Sequence, residues 1–516
     1  MKPNFLKPRQ PLDPLLEAAR QAWLRKDGEQ AVDLLKKASR MAPGNAGILL
    51  QLGYMHGMRY DYASATACFT RAVRLSARKS ETLALIARQA LEFARPEIAE
   101  HYFQLALEHP DASPDLCVRL GELYERQHRL DASMELAERA LRRDARCSTA
   151  LLLKARLHRQ ARRLTDAENL VRPLLESPDR ETRIRAGYQL AADLDRQNRW
   201  DEAMDLLRDA KAQLEPEAAV LRPQAEEVRR KRLEIQSHSS REMFKRWADA
   251  AADTVGQGPR VVFLAGYPRS GTTLLQEVLD AHPDIVTAEE TSIFQADACS
   301  RLARGFAPGH PMISVLEDST ASALSDSRHR YLELMKRYLG GPIEGRTLID
   351  KNPDLTTLVP AFVRVFPETR LLMAIRDPRD VVLSCYLQAH LPLTRGSAAY
   401  LTLEDAAEDY VQVMTVWKTL APMLYNPYLE IRYRDVVGDL EQSSRKVVDF
   451  LGLDWNADLL QFNEHSRTKL VRSPTYADVR QPVYTRSVGR WRRYRKYLEP
   501  VLPKLQPFVD AFGFPQ

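Results

Sequence analysis

The sequence predicts two architectures in series: an all-α solenoid first, then an α/β domain with a central parallel sheet. Three observations carry this expectation. Small residues recur at a fixed spacing from Ala19 to Ala210; a glycine-flanked loop at 266–273 joins an apolar run to a helical pattern; and strand-length apolar runs then alternate with helical patterns. A chain of 516 residues exceeds one ordinary core, and 44% hydrophobic residues with balanced charge exclude a disordered chain. The five cysteines are scattered without a C-x-x-C pair, which argues against a disulfide scaffold or zinc site and predicts a reducing compartment.

The repeat comes first. Ala31, Ala65, Ala99, Ser133, Ala167 and Ala203 lie four times 34 and once 36 residues apart. A second series, Ala38, Ala72, Ala106, Ala140, Leu174 and Ala210, follows seven residues behind in the same register. Ala19, Gly53, Ala87, Gly121, Ala155 and Ala191 form a third. Small residues at fixed positions let paired helices approach, while larger ones such as Phe69 and Phe103 fill the gaps between pairs. The pattern resembles the tetratricopeptide repeat over about residues 12–213, which implies about six repeats. Such arrays commonly bind peptides or proteins, so the resemblance implies a docking groove, with a structural cap or dimer interface as the alternative.

The expected boundaries are a solenoid over 1–214, a helical linker over 215–258 and a second domain over 259–516. In the linker, Glu226 to Arg232 reads as an exposed helix, His238-Ser239-Ser240 as a break and Gly256-Gln257-Gly258-Pro259 as punctuation. The net charge of +6 lies wholly in residues 1–240, with 41 basic against 35 acidic residues; residues 241–516 carry 34 of each. A charge of this size does not predict a nucleic-acid partner. The N-terminus lacks an apolar signal segment and no stretch approaches the roughly 18 apolar residues of a membrane span, which predicts a cytoplasmic protein.

The second domain opens on Val261-Val262-Phe263-Leu264-Ala265, a buried strand by its pattern. Gly266-Tyr267-Pro268-Arg269-Ser270-Gly271-Thr272-Thr273 follows, and Leu274 to Leu279 has helical spacing. Strand, loop and helix in this order present backbone N–H groups and a helix N-terminus to an anion. The spacing is that of a nucleoside-triphosphate loop, but Thr272 stands where that motif needs lysine, so kinase or ATPase chemistry fits poorly. Residues 285–288, 347–349 and 369–375 read as further strands and 357–366 as a helix. The last strand ends at Arg376-Asp377-Pro378-Arg379-Asp380, where Asp377 is an N-cap; Arg376 and Ser384 form a second anion site at the sheet's carboxyl edge.

Y-P-R-S-G-T-T-L-L and R-D-P-R-D-V-V-L-S resemble the two nucleotide motifs of sulfotransferases, over about residues 259–500. The resemblance implies a P-loop-like sulfotransferase domain using 3′-phosphoadenosine 5′-phosphosulfate (PAPS) and no metal. It implies that Arg269, Ser270, Gly271, Thr272 and Thr273 hold the 5′-phosphosulfate, and Arg376 and Ser384 the 3′-phosphate. Tyr433, after a late strand, is similar to a nucleotide-contacting tyrosine. Thr475-Tyr476-Ala477 through Gly489-Arg490-Trp491 resembles the closing loop, with Ser473 or Thr475, and Arg490, as its contacts.

The segment Ala288-Glu289-Glu290-Thr291-Ser292 resembles the E-E-T of protein-tyrosine sulfotransferases, where the second glutamate is the general base. That implies Glu290, with Glu289 as competitor. The family has Arg two residues after its base, whereas this chain has Ser292. Lys351, in Asp350-Lys351-Asn352-Pro353, is the candidate acid, and Arg269 completes the catalytic set. His282 is expected to be structural. The expected activity is sulfuryl transfer to a hydroxyl, foremost a protein or peptide tyrosine docked on the solenoid. The alternatives are a small-molecule or carbohydrate hydroxyl and a non-catalytic nucleotide-binding scaffold.

Overall fold

The computed structural model describes residues 12–25, 27–110, 112–251, 259–307, 309–389, 391–467 and 481–516. Its helical part is six pairs in succession: α1 (Leu12–Leu24) with α2 (Gly28–Met41), α3 (Ala46–Met58) with α4 (Tyr62–Leu75), and α5 (Lys79–Glu92) with α6 (Pro96–Leu107). Then come α7 (Pro114–Arg126) with α8 (Leu130–Arg143), α9 (Ser148–Gln160) with α10 (Leu164–Val171), and α11 (Arg180–Arg196) with α12 (Trp200–Ala212). Asp27, Asn45, Asp61 and Asp179 cap their helices by accepting a backbone N–H three residues on.

The small-residue series sets how closely these helices pack. Ala31, Ala65, Ala99, Ser133, Ala167 and Ala203 are at most 2% exposed. Ser133, the one hydroxyl among them, donates to the Gly121 carbonyl at 2.7 Å, so its burial costs no unmet hydrogen bond. A Cβ on Gly53 would stand 2.5 Å from the Phe69 ring, so that position admits only glycine without repacking. The fifth pair departs from the rest: α10 stops at Val171 and Pro173 carries the chain into a 3₁₀ turn, Arg172–Glu176. This break accompanies the longer 36-residue interval and explains why Leu174 replaces a small residue.

Beyond the pairs, α13 (Glu215–His238) is one 24-residue helix, longer than the charge run at its centre marks, and α14 (Arg241–Ala251) follows the break at Ser239. The sheet contains β1 (Arg260–Gly266), β2 (Ile285–Glu289), β3 (Thr347–Lys351), β4 (Arg370–Ile375) and β5 (Tyr428–Arg432). The strands lie in the order β2-β3-β1-β4-β5, every neighbouring pair parallel. The stretch expected as a helix over 357–366 begins as a 3₁₀ turn, Pro353–Leu358, and becomes α-helical over Val359–Val365.

β1 is buried from Val261 onward because helices cover both faces of a parallel sheet. Val262 and Leu264 pack with Leu275, Val278 and Leu279 of α15 (Thr272–Asp280) on one face. On the other, Phe263 stacks on Phe362 with ring centres 4.5 Å apart. By compactness the chain divides into two units, one of residues 1–125, 129–153 and 333–341 and the other of 126–128, 154–332 and 342–516. The second unit therefore contains α10, α11 and α12 together with the sheet.

Candidate functional site

The carboxyl ends of β1, β3 and β4 open onto a cavity of about 350 Å³ in the second unit. The phosphate loop forms one wall. Arg269 turns the chain with φ 71° and Gly271 with φ 95°, both in the left-handed region, and α15 begins at the next residue. Gly271 is required twice over, since a Cβ there would lie 2.5 Å from the Tyr433 ring. Arg269, Gly271, Thr272 and Thr273 line the cavity; Ser270 is buried and does not.

The residues of the second candidate anion site adjoin those of the first. Arg269 Nε donates to Ser384 Oγ at 3.1 Å, and Arg376 Nη1 donates to the Arg269 carbonyl at 3.0 Å. Asp377 caps the helix Pro378–Leu387, which carries Ser384 to this meeting point. Arg376 lies 4.8 Å over the Tyr433 ring and gives its Nη2 to the Ser487 carbonyl at 2.8 Å. Its Nε is buried without a hydrogen-bond partner among the described residues, a donor left for an anion. Arg376, Ser384, Tyr433 and Arg490 all line the cavity. Thr475 and Ser473 lie outside the described residues.

The acid and base candidates meet directly. Lys351 ends β3 with its side chain fully buried, and its Nζ lies 2.6 Å from Glu290 Oε1 and 3.5 Å from Glu289 Oε1. Glu290 lines the cavity with 42% of its side chain exposed, against 9% for Glu289; Lys351 sits behind it and does not line the cavity. Glu290 holds φ 47°, stabilised where its N–H donates to the Lys351 carbonyl at 2.8 Å. His282 is structural: Asp284 N–H donates to its Nδ1 at 3.1 Å, leaving Nε2 to donate to the Asp454 carbonyl at 2.8 Å.

Residues 259–457 match the model of the sulfotransferase family. They form a sulfotransferase-family domain. Protein-tyrosine sulfotransferase 2 of Gallus gallus is 28% identical over 249 residues, 45% of this chain and 62% of the relative. An uncharacterized protein of Aquifex aeolicus (strain VF5) is 26% identical over 351 residues, 64% of this chain and 43% of the relative. The chain thus spans less than two thirds of the length of either. The sulfotransferase domain of a Synechococcus olefin synthase has 20% identity and a TM-score of 0.38, over 51% of this chain and 97% of that one. YrrB, a TPR protein with an unusual peptide-binding site, has 16% identity and a TM-score of 0.25, over 34% of this chain and 90% of that one. The helical N-terminal region resembles TPR proteins.

Within the sulfotransferase domain the structure adds residues that no motif marks. Asp354 lines the cavity as an exposed residue; desolvation by the surrounding walls first, then the nearby Glu290 and Asp409, push its carboxyl up to about 6. Asp409 accepts from Tyr267 OH at 2.7 Å and from Arg232 of α13 at 2.6 Å, tying the linker helix to the loop after β1. Only the turn that follows Lys351 aims Asp354 at the cavity, and sequence spacing carries no sign of it. Among the described residues, no group of three or more His, Cys, Asp or Glu is placed to hold a metal ion. Among them, no helix is long and apolar enough to cross a membrane.

Proposed function

We propose that the protein transfers the sulfuryl group of PAPS to a hydroxyl, and that the acceptor is a tyrosine side chain of a protein or peptide. The supporting observation is convergence: a lysine-less phosphate loop, a second arginine site and an accessible carboxylate share one cavity. The cavity volume is within the range of small-ligand sites, and the unpartnered Arg376 Nε suits a phosphate. In this reading Arg269, Thr272, Thr273 and the start of α15 bind the 5′-phosphosulfate, while Arg376 and Ser384 bind the 3′-phosphate. Similarity to a protein-tyrosine sulfotransferase supports the tyrosine acceptor, and the repeat array supplies docking for a macromolecule.

Glu290 accepts the acceptor's proton as the acceptor oxygen bonds to sulfur and the bond from sulfur to the 5′-phosphate oxygen breaks. Its contact with Lys351 holds it in place. As Glu290 takes up the proton, its grip on Lys351 weakens and the charge of the buried ammonium is left to balance that on the departing phosphate, while Arg269 adds its own from the cavity wall. Glu290→Ala is expected to lower kcat about 10²–10⁴-fold while the affinity for adenosine 3′,5′-bisphosphate stays within about threefold. Glu289→Ala is the control, with kcat near wild type. Undiminished turnover in Glu290→Ala would remove this residue from the chemistry.

A further inference from the structure

We propose that Asp195, on α11 in the last helix pair of the repeat array, is a positioning residue that aims Arg490 at the nucleotide's 3′-phosphate. The proposal rests on the nucleotide reading above. Arg490 lines the cavity, and its Nη2 donates to Asp195 Oδ2 at 2.7 Å. Tyr494 donates its hydroxyl to the other oxygen of the same carboxylate. Arg490 and Tyr494 are the two ends of one 3₁₀ turn, so Asp195 binds both side chains of that turn at once.

The backbone of the turn is held separately. Asp380, one turn before Ser384 on the same helix, accepts the N–H groups of Gly489 at 2.7 Å and Trp491 at 2.8 Å. Asp380 therefore fixes where the turn sits, and Asp195 fixes where the guanidinium points. Further along, Tyr497 OH donates to Asp201 at 2.8 Å, so the last helix pair supports the whole segment. All these residues belong to the second compact unit.

A guanidinium has five N–H donors in a fixed plane; binding one edge to a carboxylate leaves others for an anion. Arg490 keeps 28% of its side chain exposed, so it is held without being covered. Its turn is also tied to the second anion site, because Arg376 donates to the carbonyl of Ser487 three residues earlier. That tie is the reason for assigning Arg490 to the 3′-phosphate. A residue of the repeat array thereby completes the nucleotide site, and the last helix pair is a working part of the catalytic unit.

The test is calorimetry on the full chain with two probes: adenosine 3′,5′-bisphosphate, and adenosine 5′-monophosphate, which lacks the 3′-phosphate. Asp195→Asn keeps the size and an acceptor for Tyr494 but removes the charge. It is expected to weaken the bisphosphate about tenfold and the monophosphate less than about twofold. Arg490→Ala should do at least as much, and Asp195→Asn should add nothing in its presence. Asp195→Glu, which restores the charge, should recover part of the preference and serves if the Asn variant does not fold. Bisphosphate affinity that stays level or rises in Asp195→Asn, while Arg490→Ala weakens it, would overturn the positioning role alone. Equal weakening of both probes would also overturn it, as a general structural loss. No bisphosphate binding by the wild type would overturn the nucleotide reading itself.

Discussion

Asp350 precedes Lys351 in the chain and lies behind the site with no exposed surface to speak of. Its Oδ2 accepts from Tyr331 OH at 2.9 Å, while its Oδ1 has no partner among the described residues. Desolvation pushes its carboxyl up to about 7, against the opposing pull of the Tyr331 hydrogen bond and the Lys351 charge. Between the ordinary carboxylate range near 4 and about 7, the folded chain keeps a proton that the unfolded chain has released. Stability is therefore lost as pH rises through that window. Asp350→Asn removes this dependence, so its Tm relative to wild type is expected to climb from pH 4 to pH 7 and level off above. A difference that is flat across this range would refute the assignment. At this scale the sequence is legible where function is local. Arg269, Gly271, Thr272 and Thr273 are contiguous, and their loop is made by their own φ angles and the helix that follows. Asp354 and Asp195 are illegible because their neighbours are remote: Asp195 meets a side chain 295 residues away.

Among elements, the turns inside the helix pairs hold a regularity that composition conceals. Tyr60, Ala94, His128, Arg162 and Asn198 all have φ between 60° and 63°, at the same 34- and 36-residue intervals as the small-residue series. The turn geometry repeats although the side chain does not, because the backbone requirement is imposed by the two packed helices. A non-glycine residue in this region costs about 1–2 kcal/mol, and glycine gives back about 0.5–1 kcal/mol in unfolded-state entropy. Ala94→Gly is accordingly expected to stabilise the chain by roughly 0.5 kcal/mol, read as a small rise in Tm, and a fall would show that the turn carries no strain. The strands were legible for a different reason. Parallel strands buried on both faces read as unbroken apolar runs, and β1 and β4 stand where such runs occur, while β2 and β3 carry only short apolar stretches, Ile285-Val286 and Leu348-Ile349. The 3₁₀ turns at Arg172–Glu176 and Pro353–Leu358 were less so, since prolines signal a break but not what replaces the helix.

For the whole molecule, the excess of positive charge belongs to the half that holds the helix pairs, while the cavity lies in the half with none. Arg269, Arg376 and Arg490 provide the cationic wall by placement, which net charge does not register. Repeat spacing marks the last helix pair as one more unit of the array. The contacts of Asp195 with Arg490, and of Lys211 with the Tyr400 carbonyl at 2.6 Å, join that pair to both Arg490 and a second cavity-lining residue. The central claim is that this cavity moves a sulfuryl group from PAPS to a hydroxyl. Its most direct measurement supplies PAPS labelled in the sulfuryl group with tyrosine peptides, phenols and sugars, counting labelled acceptor against adenosine 3′,5′-bisphosphate formed. The expected result is one bisphosphate per labelled acceptor, label on tyrosine, and the loss of both in Glu290→Ala. Release of free sulfate in place of labelled acceptor, or no consumption of PAPS with any acceptor, would contradict it.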